Sequence, residues 1–265
     1  MKNNIVLRPS YWACVSGGKD SLFMLKLIFE HPDKYPLDGV VHFELEIDYP
    51  FIKNVIDYME QQCISKGIKF VRIKPRQTWK ELYDKRGYPS GKVRWCNYNY
   101  KLDAKRQLQE FLKTQSCFLV SYIGLCADEQ KRFKYEKSKD GIPLQVYPLV
   151  DYDIEESTIL QWARTQPIFN DYYKYNKRCG CMCCPMATIN ELVYTKKYYP
   201  NEYKNLMGLA LQTEKDLYKR LGKRVSCWQS NPKYDTEYIM KRVDEEINGT
   251  YDFNKKGTNE LWKII

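Results

Sequence analysis

The sequence predicts an α/β protein with a doubly wound, mostly parallel sheet, followed by a mostly helical C-terminal region. Two observations support the sheet and a third supports the helical region. Short apolar segments alternate with longer amphipathic ones in the first half of the chain, as in repeated strand–helix–strand units. A Gly-Gly pair directly follows the first apolar segment. After about residue 150 the pattern turns helical and includes a dense group of cysteines.

The first buried strand is predicted at residues 11–16 and is followed by a helix to about Glu30. Further strands are predicted at residues 38–48, 69–74 and 117–124, with a helix after the second and a basic, mainly helical stretch over 78–112. The charged segment at 131–141 is expected to be a mobile loop, because its side chains leave nothing to bury. These elements predict an α/β domain over residues 1–150 and a helical region over 151–265.

Composition narrows the class of protein. The 265 residues carry a net charge of +10, with 29% charged and 43% hydrophobic residues, which excludes an intrinsically disordered chain. The chain lacks both a membrane-spanning apolar run and a signal-peptide pattern, so we expect a cytoplasmic protein with no membrane partner. The charge and the 23 tyrosines suit a polyanionic partner such as nucleic acid, and equally suit a low-GC genome.

The turn after the first strand has the features of a phosphate-binding loop. It reads Ser16-Gly17-Gly18-Lys19-Asp20-Ser21. Two glycines let backbone N–H groups approach a ligand, while the following helix N-terminus and Lys19 add positive charge. The spacing excludes the ATPase P-loop and the dinucleotide-binding motif. A capped surface turn is the alternative, but a loop beyond the carboxyl end of a strand is where doubly wound sheets bind ligands.

This hexapeptide resembles the PP-loop of the ATP pyrophosphatases, also called adenine nucleotide α-hydrolases. Further segments resemble the phosphoadenosine phosphosulfate reductase subfamily: Arg94-Trp95-Cys96 with Lys101, Gly124–Arg132 (GLCADEQKR), Tyr147–Asp151 (YPLVD) and Gly180–Pro185 (GCMCCP). The resemblance spans about residues 11–187. It implies a Rossmann-like fold that binds ATP with Mg²⁺ and splits it to AMP and pyrophosphate.

The resemblance also implies the residues of the site. It implies catalytic roles for Lys19, Asp20 and Arg94. The nucleotide-binding set is Ser16, Gly17, Gly18, Lys19, Asp20, Ser21, Lys101, Gly124, Asp128 and Arg132.

Two departures separate this chain from sulfonucleotide reductases. The segment Glu44–Pro50 stands where that family has D-T-G-x-E-F-P. The short E-C-G-[IL]-H redox segment is also missing, and the last cysteine, Cys227, lies in SCWQS. These departures count strongly against the reduction of a sulfonucleotide.

Four cysteines, Cys179, Cys181, Cys183 and Cys184, fall within six residues. Thiolates suit an iron–sulfur cluster or zinc, and Cys96 is a candidate for a distant fourth ligand. An iron–sulfur site, a structural zinc and a metal-free arrangement remain open at this point.

The leading hypothesis is a PP-loop enzyme that adenylates an acceptor oxygen so that sulfur displaces AMP. Its partners are an adenine nucleotide, a sulfur donor such as a cysteine desulfurase, and an acceptor that includes nucleic acid among the candidates. One alternative is a reductase or sulfotransferase-type enzyme acting on an adenosine phosphosulfate. Another is a non-catalytic nucleotide or nucleic-acid binder with structural zinc. The oligomeric state is not predicted.

Overall fold

The computed structural model describes residues 7–228 and 232–249. By compactness the chain falls into two units, the first comprising Met1–Arg76 with Asn97–Cys179 and the second Gln77–Cys96 with Gly180–Ile265. The domain boundary near residue 150 stays a prediction. Residues 250–265, the end of the predicted second domain, lie outside the described residues.

The first unit contains the predicted parallel sheet, which confirms the α/β fold class. Its strands run in the order β3-β2-β1-β4-β5. They are β1 (Arg8–Val15), β2 (Gly39–Phe43), β3 (Phe70–Ile73), β4 (Cys117–Ile123) and β5 (Gln145–Val146). The strand order reverses between β1 and β4, and such a switch point is where open α/β sheets form a ligand crevice at the carboxyl ends of the strands.

Helices cover the sheet because its strands are apolar on both faces. On one face, α4 (Leu102–Thr114) buries Leu108 and Leu112 against Trp12 and Val41. A π-helical segment, Cys96–Lys101, runs directly into α4. The right-handed crossovers that join neighbouring parallel strands place α1 (Lys19–Glu30) and α2 (Pro50–Ser65) on the opposite face.

The end of the first unit differs from the sequence expectation in two places. The YPLVD segment forms a short helix, α5 (Pro148–Asp151), because Pro148 starts a helix more readily than it continues a strand. It is followed by α6 (Glu156–Arg164), a 3₁₀ turn at Pro167–Phe169, and α7 (Tyr172–Tyr175). Residues 131–141 were expected to be a mobile loop; the structure has a 3₁₀ turn at Gln130–Arg132 followed by a small antiparallel hairpin up to residue 144.

The second unit is helical, as the sequence predicts for the C-terminal part. It contains α3 (Trp79–Arg86), α8 (Ile189–Tyr198), α9 (Pro200–Leu221) and α10 (Thr236–Ile247), with α8, α9 and α10 packed against one another. Capping boxes formed by Thr78 and Thr188 begin α3 and α8. Every helix within the described ranges is too short or too polar to cross a lipid bilayer.

Replacing Gly124 by alanine is expected to destabilise the first unit. A Cβ there would lie 2.9 Å from the carbonyl oxygen of Asp20 and 3.1 Å from the amide nitrogen of Ser21. Both are backbone atoms, so the end of β4 and the start of α1 must separate, at a cost of about 1–3 kcal/mol in the free energy of unfolding.

Urea denaturation measures this change. Gly208→Ala is the control, because it lies inside α9 with nothing within 4 Å of its added Cβ. That control is expected to be neutral or to stabilise by up to about 1 kcal/mol. Equal stability of Gly124→Ala and the wild type would show that the two backbones are not in close contact.

Candidate phosphate-binding loop at the switch point

The loop predicted to hold phosphate joins β1 to α1 at the switch point of the sheet. Gly17 has a φ of +76°, and a Cβ at this position would come within 2.7 Å of Cγ2 of Ile52. Both the backbone conformation and the available space therefore require glycine. Gly18 follows as the extended residue before the helix, and Lys19 is the first helical residue.

Two serines hold the loop in shape. The Ser16 N–H donates to Oγ of Ser21 at 3.2 Å, and that hydroxyl donates to the Gly18 carbonyl at 2.9 Å. Ser21 is buried, whereas Ser16 is exposed. Ser21 thus supports the loop from inside, and Ser16 is the hydroxyl residue that a ligand reaches.

Lys19 is buried with only 1% of its side chain exposed. Its Nζ donates to Oδ1 of Asp20 at 2.7 Å and to Oε1 of Glu156 at 3.3 Å. Burial acts to lower the pKa of Lys19, but these two carboxylates outweigh it and the net shift is upward. The ion pairs therefore contribute stability fully below the ordinary lysine value of 10.5, and this contribution is lost as the pH rises through the raised pKa.

The first N–H of α1 already has a partner. The Lys19 amide donates to the hydroxyl oxygen of Tyr173 at 2.9 Å, and Tyr173 is itself buried. Arg164 Nε donates to the carbonyl of Tyr173 at 3.2 Å, which fixes the tyrosine from the α6 side. The start of α1 is thus tied to the segment around α7.

The segment after β4 closes the site from the other side. The Cys126 thiol donates to Oδ1 of Asp20 at 3.5 Å, and the Cys126 N–H donates to Oε2 of Glu129 at 3.2 Å. Burial is the main cause that raises the pKa of the Cys126 thiol, and the negative charge of Asp20 is the next largest. The thiol therefore stays protonated. Asp128 accepts a hydrogen bond from the Glu156 N–H at 3.1 Å, at the start of α6.

The structure brings most of the predicted nucleotide residues together within the first unit. Ser16–Ser21, Gly124 and Asp128 all lie around the switch point. Arg132 is exposed and pairs with Glu129. Lys101 is exposed at the end of the π-helical segment. Arg94 is exposed and belongs to the second unit.

Sequence reasoning missed three groups at this site. Glu156 pairs with Lys19, Tyr173 accepts from the Lys19 amide, and the Cys126 thiol donates to Asp20. Glu156 and Tyr173 lie more than 130 residues from the loop, with separations of 137 and 154. The nearest signal in the sequence was the YPLVD segment, five residues before Glu156.

The cysteine cluster forms a tight turn in which successive thiols meet different environments. The Cys184 N–H donates to the Cys181 carbonyl at 3.2 Å, and Cys183 has a φ of +48°. Cys183 is buried and its carbonyl accepts from the hydroxyl of Tyr88 at 2.6 Å, whereas Cys181 and Cys184 are partly exposed. Burial raises the pKa of the Cys183 thiol.

This turn does not assemble the predicted metal ligands. Within residues 7–228 and 232–249, no three His, Cys, Asp or Glu side chains lie close enough to share an ion. The predicted ligands Cys96, Cys181, Cys183 and Cys184 belong to the second unit, and the site that they form with Cys179 stays a prediction. Cys179 is the last residue of the first unit.

The family follows from comparison with known proteins. Residues 10–187 match the phosphoadenosine phosphosulfate reductase domain. The chain belongs to this family. The matched range begins in β1, contains the Ser16–Ser21 loop and ends just after the cysteine turn, which confirms the resemblance drawn from the motifs.

A curated relative and several solved structures are similar. An uncharacterised protein of Methanocaldococcus jannaschii is 26% identical over 214 residues, which are 78% of this chain and 47% of the relative. The chain thus spans about half the length of this relative.

The solved structures have low sequence identity. The phosphoadenylyl-sulfate reductase of Candida auris, in a phosphate complex, is 12% identical with a TM-score of 0.40, covering 67% of this chain and 84% of that one. The FMN adenylyltransferase of Candida glabrata in complex with ATP is 15% identical with a TM-score of 0.39, covering 68% and 53%. The U34-tRNA thiolase of Methanococcus maripaludis, with its [4Fe–4S] cluster, is 15% identical with a TM-score of 0.39, covering 93% and 74%.

Lys19→Met is expected to destabilise the protein, because Asp20 and Glu156 then face each other without the ammonium between them. We expect a loss of about 2 kcal/mol at pH 7. This is less than the cost of breaking a fully buried pair, because both carboxylates are about one-third exposed.

Adding Glu156→Gln to Lys19→Met is expected to restore part of that loss, since it removes the repulsion. Urea denaturation of the two single variants and the double variant measures the coupling. Strictly additive effects would show that Lys19 and Glu156 do not interact.

The metal prediction from the sequence is tested by composition. Protein purified without oxygen is analysed for iron, acid-labile sulfide and zinc. The prediction requires about one equivalent of a cluster or of zinc, lost in Cys183→Ser but retained in Cys63→Ser, a buried cysteine on α2. Metal-free, folded wild type would refute it.

Proposed function

We propose that this protein binds ATP at the Ser16–Ser21 loop and cleaves it to AMP and pyrophosphate, adenylating an acceptor oxygen that sulfur then replaces. The observation that carries the proposal is the placement of this loop. It leaves the carboxyl end of β1 at the switch point and turns through left-handed Gly17 into the N-terminus of α1. Membership of the reductase-domain family supports an adenine nucleotide as the ligand.

The loop offers the groups that bind phosphate oxygens. Gly17 and Gly18 carry no side chains, so a phosphate can approach the backbone, and α1 directs its partial positive charge to the same place. The exposed Ser16 hydroxyl supplies a donor at the entrance of the loop. In this proposal Ser21 keeps its supporting role beneath them.

Lys19 and its two carboxylates organise the charge. Since the Lys19 ammonium is buried between Asp20 and Glu156, its main contribution is to fix those carboxylates. Mg²⁺ is commonly bound by one or two carboxylates together with substrate phosphates, and Asp20 and Glu156 fit that role. Bound there, the ion neutralises charge on the departing pyrophosphate.

The remaining predicted residues complete the proposal. Gly124 allows the close approach that holds the loop, and Asp128 fixes Glu156 through its main chain. We assign Lys101, Arg132 and Arg94 to the phosphates as surface cations, because leaving-group charge is stabilised by positioned positive groups.

The chemistry follows from what adenylation achieves. An acceptor oxygen attacks the α-phosphorus of ATP, the bond to the bridging oxygen breaks, and pyrophosphate leaves with the electron pair. The oxygen is now part of an AMP leaving group. A sulfur nucleophile at the oxidation level of hydrosulfide then forms the C–S bond as the C–O bond breaks and AMP departs. The proposed sulfur source is a partner protein such as a cysteine desulfurase. It carries the sulfur as a persulfide, and a thiol reductant that is oxidised to a disulfide supplies the two electrons that release it as hydrosulfide.

A second candidate is an enzyme acting on an adenosine phosphosulfate. Membership of the phosphoadenosine phosphosulfate reductase domain family favours it, and the same loop suits that nucleotide. The two candidates differ in their products, since one releases pyrophosphate from ATP and the other releases sulfite from the sulfonucleotide.

Ser16→Ala is expected to lower the rate of AMP formation from ATP. The variant removes a hydroxyl at the loop entrance that lies 3.4 Å from Oγ of Ser21 and accepts from the Gly18 N–H at 3.4 Å, and it leaves the bond from the Ser16 N–H to Ser21 in place. Losing one positioned donor typically costs about 10²–10³ in kcat, so a fall of at least 10-fold is expected.

Released AMP and pyrophosphate are measured with ATP, and sulfite with an adenosine phosphosulfate. Ser65→Ala is the matched control, because Ser65 is exposed at the end of α2 and bonds only its local carbonyl at Gln62. Unchanged AMP formation in Ser16→Ala would contradict the assigned role. Sulfite release without AMP formation from ATP would favour the second candidate, and nucleotide binding without either product would leave a non-catalytic binder.

A further inference from the structure

Residues 130–144 form an ordered, basic projection that the nucleotide site does not use. We name it the lysine hairpin. It carries five basic and two acidic side chains between Gln130 and Asp140. Its exposed lysines are Lys131, Lys134, Lys137 and Lys139. In the part of the chain that the structure describes, none of these four has a carboxylate within 4 Å, and the basic residue of the segment that forms an ion pair is Arg132, with Glu129.

The hairpin is held by its own backbone. The Leu144 N–H donates to the Glu136 carbonyl at 2.9 Å, and the Ser138 N–H donates to the Ile142 carbonyl at 2.8 Å. Gly141, with a φ of +79°, closes the turn by donating to the Ser138 carbonyl at 3.0 Å. The lysines are therefore presented from a fixed turn, so less conformational entropy is lost when a ligand binds.

Tyr147 attaches the hairpin to the sheet. Its hydroxyl accepts from the Lys134 N–H at 2.7 Å, and its ring stacks on Phe133 with centroids 4.9 Å apart. Tyr135 continues this aromatic row, edge to face with Phe133 at 6.4 Å, and is 79% exposed. An aromatic ring so exposed at the end of a rigid row is available to stack on a flat partner.

The hairpin lies in the connection from β4 to β5, close in sequence to the segment that borders the phosphate-binding loop. The residues that follow β4 contact Asp20 through Gly124 and Cys126. The hairpin then leads into the amino end of β5, which pairs with Ser121 and Tyr122 of β4. A ligand on the hairpin is therefore bound by the same connection that contacts the loop.

From these observations we infer that the lysine hairpin binds a single-stranded segment of nucleic acid. Unpaired lysines complement the phosphodiester backbone, and an exposed tyrosine between them provides a stacking surface for an unpaired base. An acidic polypeptide would complement the charge of the lysines, but its carboxylate side chains have no flat ring to stack on Tyr135. The inference rests on the proposed function only in naming nucleic acid as the acceptor; the binding surface itself is measured without ATP.

The test uses the full chain and labelled oligonucleotides of about 12 nucleotides, a length within the site sizes of single-strand binders. RNA and DNA of the same sequence, the RNA duplex and polyglutamate are compared by fluorescence anisotropy over a range of salt. Lys134→Gln/Lys137→Gln/Lys139→Gln is the test variant. Lys26→Gln/Lys53→Gln/Lys113→Gln removes the same charge from α1, α2 and α4 and is the control.

We expect the test variant to bind single strands about 10- to 100-fold more weakly at low salt, with a salt slope smaller by about 2, while the control stays near wild type. Tyr135→Ala is expected to weaken binding by about 10-fold or more, and Tyr135→Phe to retain it, because stacking needs only the ring. A preference between RNA and DNA identifies the source of the strand.

Three results would overturn the inference: equal losses in the test and control variants, tighter binding of the duplex, or equally tight binding of polyglutamate. Ser16→Ala separates this inference from the proposed function. If this variant binds single strands normally while wild type forms no AMP, nucleic-acid binding by the hairpin is supported and the proposed ATP cleavage is contradicted. If wild type forms AMP but the hairpin variant binds single strands normally, the proposed ATP cleavage is supported and nucleic-acid binding by the hairpin is contradicted.

Discussion

The candidate site depends on the close approach of two backbones, the end of β4 and the first turn of α1. A Cβ at Gly124 would meet backbone atoms of Asp20 and Ser21 at about the closest separation that atoms tolerate. Gly17 imposes a similar limit against Ile52. Because neither contact leaves room for a side chain, packing holds the loop between β1 and α1 from two sides. The hydrogen bonds of Ser21, Tyr173 and Cys126 fix the loop further.

This constraint also determines how charge is handled there. The approach of β4 buries the base of the loop, and Lys19 lies inside it with almost no solvent contact. A buried ammonium is stable only when it is paired, so Asp20 and Glu156 are required as much by burial as by any reaction. The same two carboxylates remain partly exposed on their outer side, where they can also serve a metal-bound phosphate. In the proposed function, stability and nucleotide binding thus use one set of groups, with Lys19 as the structural member.

The sheet, the loop and the family could be predicted from the sequence because each is indicated by residues that are close together in the chain. The Ser16–Ser21 hexapeptide and the apolar strands need no distant contact to be identified. Glu156 and Tyr173 were not predictable, because each reaches the loop from more than 130 residues away through tertiary packing. The ordering of residues 130–144 was missed for another reason. Its charges suggested a mobile loop, but the segment is held by backbone hydrogen bonds and by the ring and hydroxyl of Tyr147, neither of which appears in a charge count.

The segment after β4 contacts the phosphate-binding loop and also leads into the lysine hairpin, so binding at the hairpin must not disturb the loop. Residues 124–129 contact Asp20 and cap the start of α6, and the hairpin follows within a few residues. A large acceptor bound to the hairpin pulls on the same segment that fixes the loop. If that segment were loose, acceptor binding would displace the carboxylates that fix the nucleotide. Its anchoring at Gly124, Cys126 and Asp128 prevents this, because each contact joins the segment to a different part of the site. In the proposed function, a basic hairpin joined to this segment is therefore suited to a polymeric acceptor, whose bulk would lie outside the loop while a single base or backbone group reaches it.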